Sequence, residues 1–593
     1  GARDLPVRQQ TLRDTIDWSY ELLDHGEQRL FALLSVFAGC TFEEAEIVAS
    51  RVSNLNGTGM DIFDSLASLV DKSLIRQTEQ NGGEPRLLML ETIKEYAAER
   101  LEQDSEFSAA ARRAHATYFA DFTQNQWERL TSEGRDEALR KIESDIDNVR
   151  TAWRYWVEQE DLAQLSKFVD SIWLLYDVRG WYHAMVGLTN DLLHVLASTP
   201  STPERVQQEI MLQLILARAL LATKGYIEEV EQAYERALEL CEKSGEIPQL
   251  FPVLRGLASF SILRTEYVKS TQLAERMLQL AERLDDPDMK VEGHMVLGYN
   301  LAFIEKPQTG LDHLEKAISL YDPDRPRARR LGFGTNPGVI CLNVSALFLW
   351  MLGYPDRASK RAADGISLAR KMKHPYSITY ALFHNGLLNL WLKNFEVAQK
   401  SAQEVLEIGE AHGFQIWSAV GLCLLGSSWV GMGTVDKGLA LIAQGIKTYR
   451  GLKTPPVFWP LLLHLCAHAY NEALRPEDGL LLIDEALEIA ATNSAKTLAS
   501  EFCILKGELL LVLSSNNTAE AEYWYQQALD NAQDMQALML ELRAAMRLSR
   551  LWHAQGKAEQ ARKLLNDAYA NMTEGFTTAD MKEARALLIN LSE

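Results

Sequence analysis

The stretch GYIEEVEQAYERALEL (Gly225–Leu240) decides the fold, because its pattern recurs along most of the chain. After a turn glycine, small or apolar residues return every three or four positions from Val230 to Leu238, which is the spacing of one face of an amphipathic helix. The equivalents of Val230, which we call the anchors, follow at intervals of 40, 40, 48, 40, 40, 41, 42 and 40 residues: Ser270, Gly310, Ala358, Ala398, Gly438, Gly479, Ala521 and Ala561. So regular a register predicts stacked repeats rather than one globular domain.

Each repeat also contains an earlier helix and a turn. A small or apolar residue stands twelve positions before the anchor in several repeats: Gly298, Ala346, Gly386, Gly426 and Ala467. A glycine stands five positions before it in others: Gly225, Gly353, Gly433 and Gly556. Since glycine is a poor helix former, it is tolerated inside a helix where close packing compensates. The pattern predicts a helix, a turn and a helix, repeated about nine times in a mainly all-α chain.

The register resembles the tetratricopeptide repeat over residues 200–575, in a version with about 40 residues rather than ~34. The resemblance is most specific in Gly353–Ser377 and Leu542–Leu565. HEAT-like helix pairs are the structural alternative, but the register of glycine and small residues favours the tetratricopeptide interpretation. The predicted fold is an α-α superhelix over residues 201–593.

The first hundred residues predict a different module. Two amphipathic helices within residues 11–37 are separated around Asp24-His25-Gly26, and Phe42–Ser50 and Asp61–Val70 read as two more helices. Within Leu74–Leu90, two short apolar runs flank Asn81-Gly82-Gly83, which is a hairpin signal, and the helix ETIKEYAAERL follows. We therefore predict a winged-helix domain over residues 1–103, then a helical bridge with the first helix pairs over residues 104–200.

Four stretches resemble the winged helix and helical bridge of bacterial signal-transduction ATPases with numerous domains (the STAND class), and are similar to the maltose-regulon activator type. They are Leu5–Leu23, Glu27–Gly39, Leu87–Leu101 and Glu143–Glu158. The resemblance implies an upstream NTPase module that holds ATP or ADP, and an output domain. It also implies a resting monomer that self-assembles when an inducer binds the repeats.

This chain lacks the motifs of an enzyme. No G-x-x-x-x-G-K-[ST] phosphate loop, G-x-S-x-G or comparable catalytic motif occurs, so we predict neither catalysis nor a cofactor within it. The family's Met-His-Asp motif falls on Met89, Leu90 and Glu91, so the histidine that would lie by the nucleotide is a leucine here.

The composition limits the partners and the cell compartment that we expect for the protein. The 593 residues contain 60 Lys and Arg against 81 Asp and Glu, which gives a formal charge of −21. Residues 1–100 contain 10 Lys and Arg against 17 Asp and Glu, which gives a net charge of −7. An acidic surface repels phosphate, so DNA binding by the winged helix is disfavoured. Six scattered cysteines without a CxxC pair suit a reducing cytoplasm, and no apolar run suggests a membrane helix. The initial glycine hints at a piece of something longer.

The inner face of the superhelix is the predicted ligand surface. The repeat register places aromatic, amide, imidazole and guanidinium groups there, a mixture that suits an orienting pocket. The candidates are Arg255, Tyr299, Phe303, Asn343, Trp350, Tyr380, Phe383, Trp391, His464, His468, Asn471, Arg550 and His553. The alternative is that some of these side chains pack against one another. His464 and His468 could also chelate a metal from one helical face, but no third ligand is near in sequence, and no metal site is predicted.

The 48-residue interval contains an insertion, DPDRPRARRLGFGTNPG (Asp322–Gly338), with four arginines: Arg325, Arg327, Arg329 and Arg330. Arginines on a projecting loop could clamp a carboxylate or phosphate. A solvated insertion whose arginines balance nearby acidic residues is the alternative.

Two functions remain open. The first is the sensor and coupling region of a STAND regulator, with a peptide, protein or small-molecule inducer on the repeats and the NTPase module in the same polypeptide. The second is a constitutive protein-interaction scaffold that does not switch. A phosphate loop encoded upstream of residue 1 would distinguish the first function from the second.

Overall fold

The computed structural model describes residues 7–52, 62–78, 85–130, 134–200, 202–225, 227–244, 247–304, 306–325, 335–452, 458–492 and 496–592. The chain forms two compact bodies. The N-terminal body comprises residues 1–176 and 191–199, and the repeat body comprises residues 177–190 and 200–593.

The N-terminal body begins with five helices and a two-stranded hairpin, and continues into the helices of the bridge. The first part contains α1 (Val7–Glu21), α2 (His25–Leu34), α3 (Phe42–Ser50), α4 (Ile62–Asp71), β1 (Arg76–Thr78), β2 (Arg86–Leu88) and α5 (Glu91–Glu102). The bridge contains α6 (Ser105–Leu130), α7 (Arg135–Ser144), α8 (Ile146–Glu158), α9 (Leu162–Arg179) and α10 (Tyr182–Ala197), the last two running into the repeat body.

Local sequence signals explain these boundaries and confirm the winged helix. Asp24 and Thr41 begin α2 and α3 with reciprocal capping boxes, in which Glu27 and Glu44 return the hydrogen bond. The strands β1 and β2 pair antiparallel, and Cys40 adds a bridge on the other edge of β2. The predicted turn Asn81-Gly82-Gly83 lies outside the described residues.

The described part of the repeat body contains nine helix pairs followed by a last helix. The first helices of the pairs are α11 (Pro203–Lys224), α13 (Ile247–Leu263), α15 (Pro287–Ile304), α17 (Pro337–Met351), α19 (Pro375–Trp391), α21 (Gln415–Gly431), α23 (Trp459–Glu472), α25 (Lys496–Leu513) and α27 (Leu538–Ala554). The second helices are α12 (Glu228–Ser244), α14 (Tyr267–Arg283), α16 (Pro307–Leu320), α18 (Pro355–Met372), α20 (Phe395–His412), α22 (Val435–Gly451), α24 (Pro476–Thr492), α26 (Thr518–Asp534) and α28 (Ala558–Ala570), and α29 (Ala579–Asn590) ends the array.

The anchors lie where the register predicts, in the first turn of each second helix and buried against the first. A Cβ added to Gly310 would lie 2.4 Å from the carbonyl oxygen of Gly298, so the two backbones touch. Where the anchor is Ser270, its hydroxyl donates to the carbonyl of Ala258, twelve residues earlier, at 2.8 Å. The four predicted turn glycines all have positive φ, between 79° and 92°, which favours glycine. The tetratricopeptide-like superhelix is confirmed.

Helices ten places apart in the repeat body also touch: α11 with α21, α15 with α25 and α17 with α27. The Thr497 hydroxyl donates to the carbonyl of Ala302 at 2.7 Å, across 195 residues. Glu574 accepts hydrogen bonds from two backbone N–H groups in the first turn of α18. The array therefore returns upon itself after five pairs, and successive turns rest on each other. No helix among the described residues has the length and apolar character needed to cross a bilayer.

Candidate ligand-binding site

The predicted groove tryptophans are packed inside the repeat body. The rings of Trp350 and Trp391 stack with centroids 4.7 Å apart, and the guanidinium of Arg543 lies 4.5 Å above the Trp350 ring. Trp350 is fully buried and Trp391 nearly so. Arg543, supplied by α27 from the next turn, also donates to the backbone carbonyl of Trp391 at 2.7 Å. These two positions therefore do not form an open groove.

Arg543 belongs to a buried charge cluster that sequence reasoning missed. It donates to Asp580 at 2.8 Å and to Glu501 at 3.1 Å. Burial alone would lower the pKa of Arg543, but the two carboxylates raise this pKa by more than burial lowers it, so the side chain stays charged. His464 lies 3.8 Å from Glu501, and burial lowers its pKa to about 3, so it is neutral. The positive charge of Arg543 is therefore already balanced by the carboxylates of Asp580 and Glu501.

Other predicted polar residues are paired along the same inner face. Asn471 donates to Glu508 at 3.1 Å, and Arg550 donates to Glu583 at 2.8 Å. Arg255 pairs with Glu292 at 2.7 Å. Each of these carboxylates lies in the first helix of the following pair or in α29, 33 to 37 residues later in the chain. His468 is half-buried and His553 is exposed.

Two further expectations are placed differently by the structure. Asn343 packs against Gly365 within its own helix pair, because a Cβ on Gly365 would lie 2.3 Å from the Asn343 amide nitrogen. Asn343 is therefore not on the inner face. Within residues 464–468, where the two histidines were considered as metal ligands, His464 faces Glu501 while Cys466 lies beside Cys423. The described residues contain no cluster of three or more His, Cys, Asp or Glu able to hold a metal.

Arg325 is the one insertion arginine among the described residues. It pairs with Asp288 at 2.6 Å and is about one-third exposed. Arg327, Arg329 and Arg330 lie outside the described residues, so the binding of a carboxylate or phosphate by the insertion stays a prediction.

Tyr299 and Phe303 do line a pocket, and it is the strongest candidate for a ligand site. The pocket is narrow, with a cavity volume of about 40 Å³, and it is partly open to solvent. It is lined by Ile262, Thr265, Tyr267, Tyr299, Phe303, Phe458, Pro460, Leu461, Ile489, Ala490, Leu498 and Phe502. These residues come from α13–α15 and from α23–α25, so the pocket lies where one turn of the superhelix meets the next. Of the lining residues, the repeat register identified only Tyr299 and Phe303.

Aromatic rings dominate the pocket wall. Phe303 stacks on Tyr267 with centroids 5.4 Å apart and planes 13° apart, and Tyr299 lies 5.1 Å away from Phe303. Burial raises the pKa of both tyrosines, so their hydroxyls stay neutral. The predicted groove residue Phe383 contacts the pocket from behind, 5.2 Å from Phe458, and Tyr380 packs with it against Trp417.

The N-terminal body contains a second polar centre, which we call the wing clamp: Arg86, Asp145 and Asn148. Arg86 on β2 donates to both Asp145 oxygens, at 2.5 and 3.1 Å, and to the carbonyl of Gly39 at 2.8 Å. Asn148 donates to the same carbonyl and accepts from the N–H of Ala38 at 2.7 Å. All three side chains are buried. The clamp ties the hairpin to the bridge helices, which gives the Glu143–Glu158 stretch a structural role.

Two titratable groups border the clamp. Burial, and then the negative charge of Asp145, raise the pKa of Glu44 to about 7. Burial lowers the pKa of His115 to about 4, and this histidine lies 3.4 Å from Asn148. His115 beside the clamp is therefore neutral at pH 7.

The positions equivalent to the family's nucleotide-sensing motif follow β2. Leu90 is 44% exposed and precedes the first turn of α5, and Glu91 is exposed beside it. Met89 is half-buried. The exposed side chain at the position of the expected histidine is thus aliphatic.

Comparisons with known proteins agree with the class that this architecture defines, a winged helix joined to tetratricopeptide-like repeats. A family model described as "Winged helix-turn-helix domain" matches residues 23–102. "Putative HTH-type transcriptional regulator Rv0890c" of Mycobacterium tuberculosis is 31% identical over 251 residues, which are 40% of this chain and 27% of that protein. A Mycobacterium bovis protein of the same description matches equally. The chain thus spans about a quarter of the length of these relatives.

Solved structures show looser likenesses. A STAND protein with a tetratricopeptide repeat sensor from Pyrococcus horikoshii aligns over 99% of this chain and 67% of its own, with 14% identity and a TM-score of 0.34. A Rap protein complexed with competence and sporulation factor aligns over 69% and 97%, with 13% identity and a TM-score of 0.41. At these scores neither likeness supports a functional argument.

Proposed function

We propose that this chain is the sensor and coupling region of a STAND-class regulator. In this proposal the repeat body binds an inducer, and the winged helix passes the event to a nucleotide-binding module elsewhere in the protein. ATP or ADP would bind that module, and the chain itself would catalyse nothing. The closer similarity to the maltose-regulon activator type, the cytoplasmic location and self-assembly on activation stay predictions.

The observation that carries the proposal is the wing clamp. It fixes the hairpin of the winged helix to the bridge through a buried, bidentate ion pair between Arg86 and Asp145. A winged helix held in this way can move with its bridge as one unit, which suits a domain that transmits a signal. The net −7 charge of residues 1–100 supports a transmitting role over DNA binding.

The repeat body supplies a means of response. A ligand shifts an equilibrium only by its preference for one arrangement over the other. A ligand in the pocket would contact helices of two successive turns at once, so its binding energy depends on how those turns are placed. An ordinary repeat array, in which each unit touches only its neighbours, offers no such contact.

The complete gene provides the direct test. Its reading frame should encode a G-x-x-x-x-G-K-[ST] motif, and the protein made from it should release ADP or ATP on denaturation, measured by ion-exchange chromatography. Replacing the lysine of that motif with alanine is the control and should remove the nucleotide. A complete reading frame without the motif, in a protein that retains no nucleotide, would favour the constitutive scaffold.

A further inference from the structure

One side of α27 carries three arginines, which we call the basic face: Arg543, Arg547 and Arg550. Their spacing of four and three residues places them on the same side of the helix. Their side chains are 12%, 23% and 43% exposed, so the face runs from the interior towards solvent. In a chain with a formal charge of −21, these side chains form a local concentration of positive charge.

The last helix, α29, supplies carboxylates to the basic face. Asp580 accepts a hydrogen bond from Arg543 at 2.8 Å. Glu583, about one helical turn later, accepts from Arg547 at 3.1 Å and from Arg550 at 2.8 Å. Burial alone would raise the pKa of Glu583, but the neighbouring cations lower it to about 2, so this carboxylate stays charged. The acidic residues of α29 thus match the arginines of α27 in spacing and in charge.

The attachment of α29 is suited to exchange. Four of its twelve residues are buried, and Asp580 is the charged one among them. If α29 withdraws, Arg543 keeps its hydrogen bond to Glu501, and Arg547 keeps its ion pair with Glu508. Neither buried guanidinium is then left without a carboxylate, which would be the costly outcome.

The charges of the cluster show what a replacement for α29 must bring. Lys393, which follows α19, donates to Glu583 at 3.2 Å and is the fourth cation beside the three arginines. Two carboxylates of the cluster, those of Glu501 and Glu508, belong to α25 and stay when α29 leaves. Four cations and two carboxylates have a net charge of +2. A replacement must therefore bring two negative charges, about one helical turn apart.

We infer that the basic face of α27 is a binding surface for an acidic helix of a partner protein, and that α29 occupies this surface when the partner is absent. The partner's helix carries two carboxylates three residues apart, followed by small or apolar residues in the places of Ala584 and Leu587. The inference adds a second binding surface to the repeat body. It depends neither on the pocket nor on a nucleotide-binding module.

Exchange of α29 also acts on the contact between the turns of the superhelix. Glu574, six residues before Asp580, accepts hydrogen bonds from the N–H groups of Asp356 and Arg357 at 3.0 Å each. The N–H of Gly575 donates to Asp356 at 3.0 Å. This segment lies between α18 and α29, so it loses one of its two attachments when α29 leaves. Binding of the partner would therefore loosen the hold on α18, five pairs earlier in the chain.

Peptide binding to the full chain tests the inference. The probe is a fluorescent peptide with the sequence of α29, ADMKEARALLIN, and the control peptide carries Asp580→Asn and Glu583→Gln. In Asp580→Lys/Glu583→Lys, which we call the reversal variant, the basic face repels α29. Fluorescence polarisation should show that the probe binds this variant at least about tenfold more tightly than the wild type, in which α29 competes from the same chain. The control peptide should bind the reversal variant at least about tenfold more weakly than the probe.

A matched variant controls for the change in net charge. Glu559→Lys/Asp567→Lys makes the same two reversals at exposed positions of α28 and should bind the probe as the wild type does. Amide exchange in the first turn of α18 should be faster in the reversal variant than in this control. Should the reversal variant lose its cooperative thermal transition, Glu583→Lys alone, at a side chain that is 24% exposed, replaces it.

A purely structural role for α29 predicts a different result. The reversal variant would then be less stable but would gain no affinity for the probe. Equal binding of the probe to the wild type and the reversal variant, equal binding of the two peptides, or unchanged exchange in α18 would overturn the inference.

Discussion

Replacing Asp145 with asparagine tests whether the wing clamp is a true buried ion pair. The side chains of Arg86 and Asp145 are only 8% and 5% exposed, and two hydrogen bonds join them. Removing one partner of a buried pair costs about 3–5 kcal/mol, because the other charge is left unpaired. Asparagine keeps the shape of the side chain, so no cavity contributes. Loss of the Asp145 charge also relieves its repulsion of Glu44, which places the expected cost near the lower end.

The free energy of unfolding of the N-terminal body is the quantity to measure. Urea titration read by deuterium exchange of peptides from α8 separates this body from the repeats. A loss of about 3 kcal/mol corresponds to a fall of roughly 6–12 °C in its melting temperature.

The double variant Arg86→Met/Asp145→Leu is the control, because it removes both charges and leaves none unpaired. It should be more stable than Asp145→Asn. A loss below about 1 kcal/mol in Asp145→Asn, or a double variant as unstable as the sum of its single changes, would refute a buried ion pair.

Three further changes test the fold. The raised pKa of Glu44, about 7 against an ordinary 4.5, means that the folded carboxyl binds its proton more tightly than the unfolded one, so stability should fall by about 3 kcal/mol as the pH rises from 4.5 to 7. Glu44→Gln should flatten this dependence in urea titrations at pH 5 and 8, and an unchanged slope would contradict it. Gly438→Ala should lower the free energy of unfolding by about 1–3 kcal/mol, because its Cβ would lie 2.6 Å from a facing carbonyl oxygen. The control Gly451→Ala, in the same helix, places its Cβ where nothing lies within 4 Å and should be neutral or stabilising by up to about 1 kcal/mol. Equal shifts of the melting temperature in the two variants would count against the close approach. Glu574→Ala should speed amide exchange in the first turn of α18, five pairs earlier in the chain, and no change there would argue against contact between the turns.

The repeat register was predictable because it is a local property. The anchors from Val230 to Ala561 are set by the close approach of two helices within one pair, and that approach requires small residues at fixed positions. The winged helix was predictable from the sequence for a similar reason, since capping residues such as Asp24 and Thr41 act within a single helical turn.

The filling of the inner face was not predictable from the register. It depends on the rotation between successive pairs, which accumulates to a full turn over five pairs and leaves no spacing in the sequence. Trp350 thus occupies a predicted inner position but is covered by Arg543, from a helix nearly two hundred residues later. The pairing of Asn471 with Glu508 had a weak signal, complementary polar residues 37 positions apart. For the pocket, the register pointed only to Tyr299 and Phe303 on one wall, because the residues of the other wall are distant in the chain.

Contact between pairs five places apart limits how this protein can evolve. In an ordinary array, duplication or loss of one repeat lengthens or shortens the rod and leaves the other interfaces intact. Here the loss of one pair between α15 and α25 would put every later pair out of phase, so that Thr497 would no longer meet Ala302. The one irregular interval adds its extra residues between α16 and α17 and keeps the number of pairs unchanged. Lineages of this protein should therefore vary in loop length while conserving the count of helices.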